Sequence, residues 1–350
     1  MSYTAGETLL SNMSKSKPNR SPSGACEGLL DVIIVGGGPA GLSAALILGR
    51  CLRRVLVCDA GEPRNAASHA MHGYLSRDGI APAEFLKIGR EQLAPYETVA
   101  FRKIKVNDVE GGEGNFTVVL EGGERVKSRM LLLATGLVDE LPQIENFRQF
   151  YGVSAHNCPY CDGWEHRGQP MAVVGSCKDS ADLALELRLW TKDIILCTNG
   201  APSCDRAALE LLDRNEVEVI QTPIARLEGT GAQLERILFQ DGSETARRAL
   251  FFSPGQHQRS HLAEMLGCEF CPEDGCVLCN EDASTCVPGV FVAGNASRGL
   301  QLVIAAAAEG MQAGFAINTA LLEADAELGA VKSGAGDEKH PAPIPVLTHS

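Results

Sequence analysis

The sequence predicts an α/β protein of two domains, the second inserted into the first. A buried strand runs into a glycine turn and then a helix near residues 31–50, and the same succession recurs near 171–190. Two more buried runs, at 250–255 and 290–295, end in glycine turns and return the chain to the first domain, which a long helix closes. Each strand–turn–helix unit is typical of a Rossmann-like domain with three layers (ββα).

Composition along the chain sets the predicted domain limits. The first residues are rich in Ser, Lys, Gly and Pro without a sustained apolar period, and the last have little periodicity, so both ends are predicted to be unstructured. The predicted segments are 1–28 (disordered tail), 29–150 (first part of the first domain), 151–250 (inserted domain), 251–325 (second part of the first domain) and 326–350 (flexible tail).

The net charge and the cysteine content limit the possible partners and the cellular environment of the protein. The chain has 350 residues and a formal net charge of −13, which argues against nucleic acid or an anionic membrane surface as its main partner. Its 13 cysteines are an odd number and no apolar leader opens the sequence, so a reduced, cytoplasmic environment is expected. The most apolar stretch, Leu300–Leu322, is interrupted by Gln301 and Glu309 and indicates a buried helix, not a membrane span.

The first glycine turn has the composition of a dinucleotide site. Gly36–Gly41 spells G-x-G-x-x-G after the strand Val32–Val35 and before the helical pattern Leu42–Arg50. Glycines there allow a tight turn and a close approach of a pyrophosphate to the helix N-terminus. Asp59 ends the next strand, Arg54–Ala60, eighteen residues past Gly41, where a carboxylate can accept from a ribose hydroxyl.

The polar segment 61–78 is predicted to be a loop that lines the cofactor. His69 and His72 lie three residues apart, a spacing that can hold a metal, but no further ligands lie nearby and we predict none. Strands with glycine-rich turns are expected from Val99 to Val126, followed by a buried strand that ends in a Thr-Gly turn at Thr135 and Gly136.

The run 156–163 (HNCPYCDG) holds two cysteines three positions apart, Cys158 and Cys161. Such a pair can close and reopen a small disulfide ring. Pro159 favours a helix start beside Cys158, where backbone N–H groups favour the thiolate. Asp162 is a candidate proton carrier. Half of a zinc site, or an incidental pair of buried thiols, is the alternative interpretation.

The second glycine turn departs from the nucleotide pattern. Gly175 is present, but Cys177 stands at the second glycine position, so a side chain would crowd a pyrophosphate. No arginine pair that could hold a 2′-phosphate follows the next strand, Ile194–Cys197. The fold of a nucleotide domain is predicted, while binding of a nicotinamide nucleotide stays open.

The run 268–279 (CEFCPEDGCVLC) contains two further C-x-x-C pairs. Only four residues separate the pairs, and Asp274-Gly275 predicts a hairpin turn between short strands. Alternate residues of a strand face opposite ways, so four sulfurs would not converge easily on one metal. A metal site and a second redox pair are therefore less favoured than packed or exposed thiols, and we predict no metal.

These motifs, in this order and spacing, resemble the low-molecular-weight thioredoxin reductase family. The similarity covers roughly residues 31–325 and rests on Gly36–Gly41, Ala134–Gly136, Cys158–Gly163 and the Gly294-Asn295 turn. The Cys-Pro-Tyr-Cys variant, together with Thr-Asn-Gly at 198–200, looks most like a thioredoxin-reductase-like branch. That branch includes bacterial oxidoreductases and the dithiol oxidases of gliotoxin- and holomycin-type pathways.

The resemblance implies FAD in the first domain, a nicotinamide-type inserted domain and a homodimer. It also implies that Cys161 faces the flavin, that Cys158 attacks the partner's disulfide and that Asp162, near His156, shuttles the proton. Asn295 stands where the family usually has Asp, but an amide can still hydrogen-bond a hydroxyl of the flavin's ribitol chain. The implied cofactor-binding residues are Gly36, Gly38, Pro39, Ala40, Gly41, Asp59, Thr135, Gly136, Gly294, Asn295 and Gln301.

Three functions compete at this point. The first is an FAD-dependent oxidoreductase that passes electrons from NAD(P)H to a thioredoxin-like protein or small-molecule disulfide. The second runs the reverse chemistry: a small-molecule dithiol reduces the Cys158–Cys161 disulfide and oxygen reoxidises the flavin. Small potential differences set the direction, since ~30 mV is about 1.4 kcal/mol for a two-electron couple. The third is a thiol-rich redox or metal sensor that uses the 268–279 cluster.

Overall fold

The computed structural model describes residues 28–176, 178–297 and 299–329. Most of the two predicted tails, 1–27 and 330–350, lies outside the described residues, as does Cys177 at the second position of the second glycine turn.

The described chain alternates strands and helices in the order expected of an α/β protein. The strands are β1 Leu30–Val35, β2 Val55–Asp59, β3 Val99–Lys103, β4 Val106–Gly112, β5 Asn115–Leu120, β6 Arg125–Leu133, β7 Leu137–Glu140, β8 Ala155–His156, β9 Met171–Val174, β10 Ile194–Cys197, β11 Glu218–Ile220, β12 Ile224–Thr230, β13 Gln233–Phe239, β14 Glu244–Ala246, β15 Ala249–Phe252, β16 Gly255–Gln258 and β17 Val290–Val292. The helices are α1 Pro39–Arg50, α2 Pro82–Leu93, α3 Phe147–Phe150, α4 Pro159–Asp162, α5 Lys178–Leu187, α6 Arg206–Arg214, α7 Leu262–Met265 and α8 Val303–Glu327.

The first sheet has the order β3-β2-β1-β6-β5-β4, and β17 also pairs with β6. Strands β1, β2, β3 and β17 run parallel to their neighbours, whereas β4, β5 and the start of β6 form an antiparallel meander. Alternate residues of β1 enter two cores: Val32 and Ile34 pack towards α1 and α8, and Ile33 packs towards the meander. The result is a three-layer arrangement of helices, parallel sheet and meander.

The second sheet repeats this plan with strands from the inserted segment. Its order is β11-β10-β9-β15-β8, all parallel, and a separate antiparallel sheet has the order β12-β13-β14. Strands β9 and β10 contribute to one core with α5 and α6 and to another with the antiparallel sheet. The predicted α/β fold of two Rossmann-like units, the second inserted into the first, is confirmed.

The sequence predicted that residues 250–255 return the chain to the first domain, but strand β15 belongs to the second sheet. It pairs with both β9 and β8 in the second sheet, and all four of its residues are buried. An apolar run that is buried on both faces is typical of an interior parallel strand, which the sequence could not assign to one sheet or the other. The exact domain limits remain a prediction.

A two-stranded ribbon connects the two units. Strand β7 leaves the first sheet and β16 returns to it, and the two pair antiparallel with Glu140 opposite Gly255. The chain passes between the units along this ribbon in both directions.

Several helical features went beyond the sequence patterns. Helices α2, α3, α6 and α7 were not predicted, and α8 continues to Glu327, past the predicted end at Leu322. Over residues 28–176, 178–297 and 299–329, none of the helices has the length and apolar character needed to cross a bilayer.

Candidate active site

A cavity of about 790 Å³ lies between the two units, and both the first glycine turn and the C-x-x-C segment line it. The first glycine turn, the loop after β2, the ribbon and the C-x-x-C segment all contribute to its wall. Of the catalytic and cofactor-binding residues that the sequence predicted, only Gly41 is not part of the lining. The others that line it are Gly36, Gly38, Pro39, Ala40, Asp59, Thr135, Gly136, His156, Cys158, Cys161, Asp162, Gly294, Asn295 and Gln301.

The three motif glycines of the first turn have different surroundings. A Cβ at Gly36 would collide with the carbonyl oxygen of Ala134, and one at Gly41 with the carbonyl oxygen of Gly36. A Cβ at Gly38 would meet no protein atom within 4 Å. Gly36 and Gly41 therefore allow the backbone to pack, whereas Gly38 borders open space in the cavity that a ligand can occupy.

The turn also presents the groups that a dinucleotide needs. Gly38 is the N-cap of α1 and Pro39 its first residue, with no side chain capping the N-terminus. Asp59 accepts a hydrogen bond from the Gly37 amide at 3.1 Å and lines the cavity. The cavity volume lies in the range of ligand sites, roughly 300–1,000 Å³. Together, the open Gly38 position, the uncapped helix start and the carboxylate fit FAD.

Cys158 and Cys161 form a disulfide in the wall of the same cavity, with their Cα atoms 5.3 Å apart. As the sequence predicted, Cys158 caps a helix that begins at Pro159. Its Sγ accepts a hydrogen bond from the Cys161 amide at 3.1 Å. The helix has only four residues, so direct stabilisation of a sulfur at position 158 by the backbone comes from the Cys161 amide.

A chain of side chains leads away from the disulfide. His156 Nδ1 lies 3.2 Å from the Asp162 carboxylate, and His156 Nε2 lies 2.9 Å from Nε2 of His166. Both contacts are satisfied when His156 donates to Asp162 and accepts from His166. Burial and the neighbouring His156 lower the pKa of His166 to about 4, so this ring is neutral near pH 7. His166, which lies ten residues after its partner, was not among the site residues predicted from the sequence.

Comparisons with known proteins agree with this geometry. Residues 30–310 match the family model described as pyridine nucleotide-disulphide oxidoreductase. The chain belongs to this family. It is 31% identical to thioredoxin reductase tcpT of Claviceps purpurea over 87% of this chain and 97% of that protein. Among solved structures it resembles HlmI (38% identity, 87% and 96% of the two chains, TM-score 0.82) and an oxidoreductase from Agrobacterium tumefaciens (34%, 85% and 99%, TM-score 0.80).

Family membership confirms the resemblance and the class of enzyme predicted from the sequence. The chain is an FAD-dependent oxidoreductase that acts on thiols and disulfides. The family uses FAD and NAD(P)H, and the residues above that fit FAD belong to the first unit. Asn295, the departure from the usual Asp, lies in the turn Gly294–Ala296 on the cavity wall, where its amide can meet a bound cofactor.

The second glycine turn is hydrogen-bonded to a neighbouring loop of the chain. The carbonyl oxygen of Ser176 accepts from the Ser203 amide at 2.7 Å, from the Ser203 hydroxyl at 2.8 Å and from Cys204 Sγ at 3.3 Å. The loop after β10 therefore lies against the turn where this family would place a nicotinamide nucleotide. Arg206, the first basic residue after β10, has a side chain that is 91% exposed and pairs with Glu210 at 2.7 Å.

A buried polar network, also not predicted from the sequence, surrounds Asp139 of β7, whose side chain is 2% exposed. Arg64 donates to both carboxylate oxygens, at 2.8 and 2.6 Å. The Tyr151 hydroxyl donates at 2.6 Å, the Asn157 amide at 3.2 Å and the Gln256 amide at 2.9 Å. Burial favours a raised pKa for Asp139, but the Arg64 and Tyr151 hydrogen bonds lower that pKa overall. Burial and the Asp139 carboxylate raise the pKa of Tyr151.

The cysteines of the 268–279 run lie outside the cavity. Phe270 and Val277 form an antiparallel bridge, so the predicted hairpin around Asp274-Gly275 is present, although it is too short to form regular strands. Cys271 Sγ donates to the Glu273 carboxylate at 2.7 Å. The described residues contain no group of three or more His, Cys, Asp or Glu side chains placed to hold a metal.

Proposed function

We propose that Cys158 and Cys161 are the redox pair of this enzyme and exchange electrons with FAD bound at the first glycine turn. The observation that carries the proposal is that the disulfide and the open Gly38 position line the same cavity. Bound FAD supplies a two-electron couple matched to that of a disulfide. The proposed cofactor contacts are the Gly36–Gly41 turn for the pyrophosphate, Asp59 for a ribose hydroxyl, and Asn295 and Gln301 on the flavin side.

The chain's own groups support a thiol–disulfide exchange. In the reducing direction, the Cys158 thiolate attacks one sulfur of the partner's disulfide and forms a mixed disulfide. Cys161 then displaces the partner's thiolate, the Cys158–Cys161 disulfide re-forms, and the partner leaves with two electrons and two protons. Asp162 and His156 hold or release the proton at Cys161. Tyr160, which is 70% exposed, lies between the cysteines and offers an apolar contact to the partner.

Serine variants separate the two cysteines. Cys158→Ser leaves one thiolate beside oxidised flavin, so a long-wavelength charge-transfer band should appear, whereas Cys161→Ser should give none. Both variants should lose disulfide turnover, and Cys51→Ser, an exposed thiol outside the cavity, should keep it. The opposite spectral pattern would make Cys161 the attacking thiol. Full turnover in either active-site variant would remove the pair from the mechanism.

A second candidate is the oxidation of a dithiol, with oxygen rather than a nicotinamide nucleotide as the final partner of the flavin. The contacts of Ser203 and Cys204 with Ser176 favour it, because they lie where a pyrophosphate would approach the second turn. Anaerobic titration with NADPH, NADH and then a small dithiol distinguishes the two. Flavin reduction by the dithiol alone supports the oxidase, and rapid stoichiometric reduction by either nucleotide contradicts it.

The partner is proposed to be a thioredoxin-like protein or a small-molecule disulfide or dithiol, with no role for nucleic acid or membranes given the net charge of −13. A reduced, cytoplasmic setting is supported by buried cysteines that remain thiols, such as Cys197 and Cys268.

A homodimer is supported by α8, which exposes Phe315 (67% exposed) and Met311 beside a shallow groove. Sedimentation of the wild-type chain and of Phe315→Glu tests this proposal. A dimer that persists unchanged in the variant would place the interface elsewhere, and a monomeric wild type would refute it.

A further inference from the structure

The Asp139 network joins segments that are distant in the sequence. Arg64 comes from the loop after β2 in the first unit, while Asp139 and Gln256 come from the two strands of the ribbon. Tyr151 and Asn157 come from the segment that enters the second unit. One carboxylate thus holds groups from both units and from the connection between them.

The second-unit members of the network are close to the disulfide in sequence and fixed in the second core. Asn157 directly precedes Cys158, and it follows β8, which pairs with β15 in the second sheet. The Tyr151 ring packs against Phe252 of β15 with centroids 6.2 Å apart. A hydrogen bond from Asn157 to Asp139 therefore restrains the residue next to the redox pair relative to the first unit.

Gln301 extends the network to the proposed flavin side of the cavity. Its side-chain oxygen accepts from Arg64 at 2.6 Å and from Gln256 at 3.0 Å, and its amide donates back to Gln256 at 2.7 Å. The network thus connects a predicted cofactor residue with the residue that precedes Cys158.

A ligand-binding role for Asp139 itself does not fit this arrangement. A carboxylate has about four lone-pair sites, and two donors on Oδ1 with three on Oδ2 already occupy them. The negative charge is paired with the Arg64 guanidinium in bidentate geometry. Although Asp139 lies in the cavity wall, its carboxylate oxygens are therefore already used to hold protein segments.

We propose that Asp139 is a positioning residue that holds the Cys158–Cys161 pair against the flavin cavity by tying Asn157 and Tyr151 to Arg64. The proposal rests on the redox role given to the two cysteines above. It goes beyond that role because it assigns the relative placement of the two units to one buried carboxylate on the ribbon.

The test replaces Asp139 with Asn, which keeps the shape but loses the charge and half of the acceptors. Asp31→Asn is the matched control, because Asp31 accepts from Arg129 and from the Arg54 amide inside the first unit, away from the cavity. In the Cys158→Ser background, the charge-transfer band should fall about tenfold with Asp139→Asn at unchanged FAD content, and should persist with Asp31→Asn.

Hydrogen exchange gives a readout that does not depend on the flavin spectrum. Backbone exchange in residues 151–163 should become about tenfold faster in Asp139→Asn, while β10 inside the second sheet stays protected. If Asp139→Asn fails to fold, the double variant Tyr151→Phe/Asn157→Ala removes only the donors of the second unit and should show the same two changes.

Each outcome decides between the proposals. An unchanged band and unchanged exchange with FAD bound would overturn the positioning role and leave the redox pair intact. Equal loss in Asp31→Asn would also overturn it, because the effect would then be general destabilisation. A missing band in Cys158→Ser alone would refute the cysteine roles, and the exchange of residues 151–163 would still decide the role of Asp139.

Discussion

The two strand–turn–helix units have the same backbone plan but different surroundings at their glycine turns. In the first unit, Gly38 faces a cavity and a Cβ there would touch no protein atom within 4 Å. In the second, the Ser176 carbonyl accepts hydrogen bonds from Ser203 and Cys204 of the following loop. A Rossmann-like fold therefore does not by itself establish a nucleotide site, and the groups that surround the turn must be considered as well.

The largest effect is expected at Gly38. Gly38→Val should fill the pyrophosphate position and weaken FAD binding about a hundredfold or more, equivalent to about 2.7 kcal/mol. The apoprotein should remain folded, since the new side chain points into the cavity. The measurement is the flavin-to-protein absorbance ratio with a thermal melt. Gly112→Val is the control: Gly112 of β4 also has open space around it, and this variant should remain yellow. A Gly38→Val protein that still binds stoichiometric FAD would mean that the site is misassigned.

The second unit should not distinguish NADPH from NADH. No arginine pair follows β10, and Arg206 is exposed and paired with Glu210. The ratio of anaerobic flavin-reduction rates with the two nucleotides should stay within about threefold, well under the tenfold that ~1.4 kcal/mol would give. Arg206→Ala should leave that ratio unchanged. A preference for NADPH near a hundredfold that Arg206→Ala abolishes would show that this arginine recognises the 2′-phosphate.

The second unit also carries a titrating group with no counterpart at the first turn. The pKa of His166 is lowered from 6.5 to about 4 by burial and by His156, so the unfolded chain binds its proton more readily. The stability from the neutral ring is present above about pH 6.5 and is lost as the pH falls towards 4. The full pKa shift corresponds to a loss of about 3 kcal/mol of unfolding free energy. Solvent screening makes the loss smaller for a partly exposed ring.

Urea unfolding at pH 7 and pH 5 measures this loss. His166→Gln should reduce the difference in unfolding free energy between the two pH values, whereas His261→Gln, at an exposed histidine, should not. If both variants keep the wild-type pH dependence, His166 titrates normally.

The smallest effect is expected for the loop of Ser203 and Cys204, which is hydrogen-bonded to the second turn. Ser203→Ala removes one of the hydrogen bonds to Ser176 and should cost about 0.5–1.5 kcal/mol of unfolding free energy. If the loop limits nucleotide access, flavin reduction by NADH should also become faster. Ser243→Ala is the control, because it loses a hydroxyl hydrogen bond to Asp241 in an exposed turn. It should lower the unfolding free energy without changing the access of a nucleotide to the second turn. Slower reduction in Ser203→Ala would indicate that Ser203 aids binding of the nucleotide.

Local patterns predicted the parts of this molecule that depend on local chemistry. The Gly36–Gly41 turn and the Cys158 helix start need particular residues at fixed spacings, and both were found where the sequence placed them. The pairing of β15 was missed because a buried apolar run fits either sheet until its neighbours are known.

The Asp139 network illustrates what the sequence could not reveal. Its members lie at positions 64, 139, 151, 157, 256 and 301, and nothing in their spacing connects them. His166 was missed for a related reason: a histidine in a polar segment gives no sign that it will be buried against a second ring. Contacts made by tertiary folding need the fold before they can be identified.

The ribbon of β7 and β16 has a consequence for protein engineering. Glu140 and Gly255 lie directly opposite each other, so the ends left by deleting residues 141–254 would already be neighbours. A short Asn-Gly turn could close them as a hairpin. The shortened gene should encode a continuous first unit, since its sheet and its two cores are formed without the deleted residues. A flavin carrier of this kind, without its own disulfide, could accept a different inserted domain at the same junction.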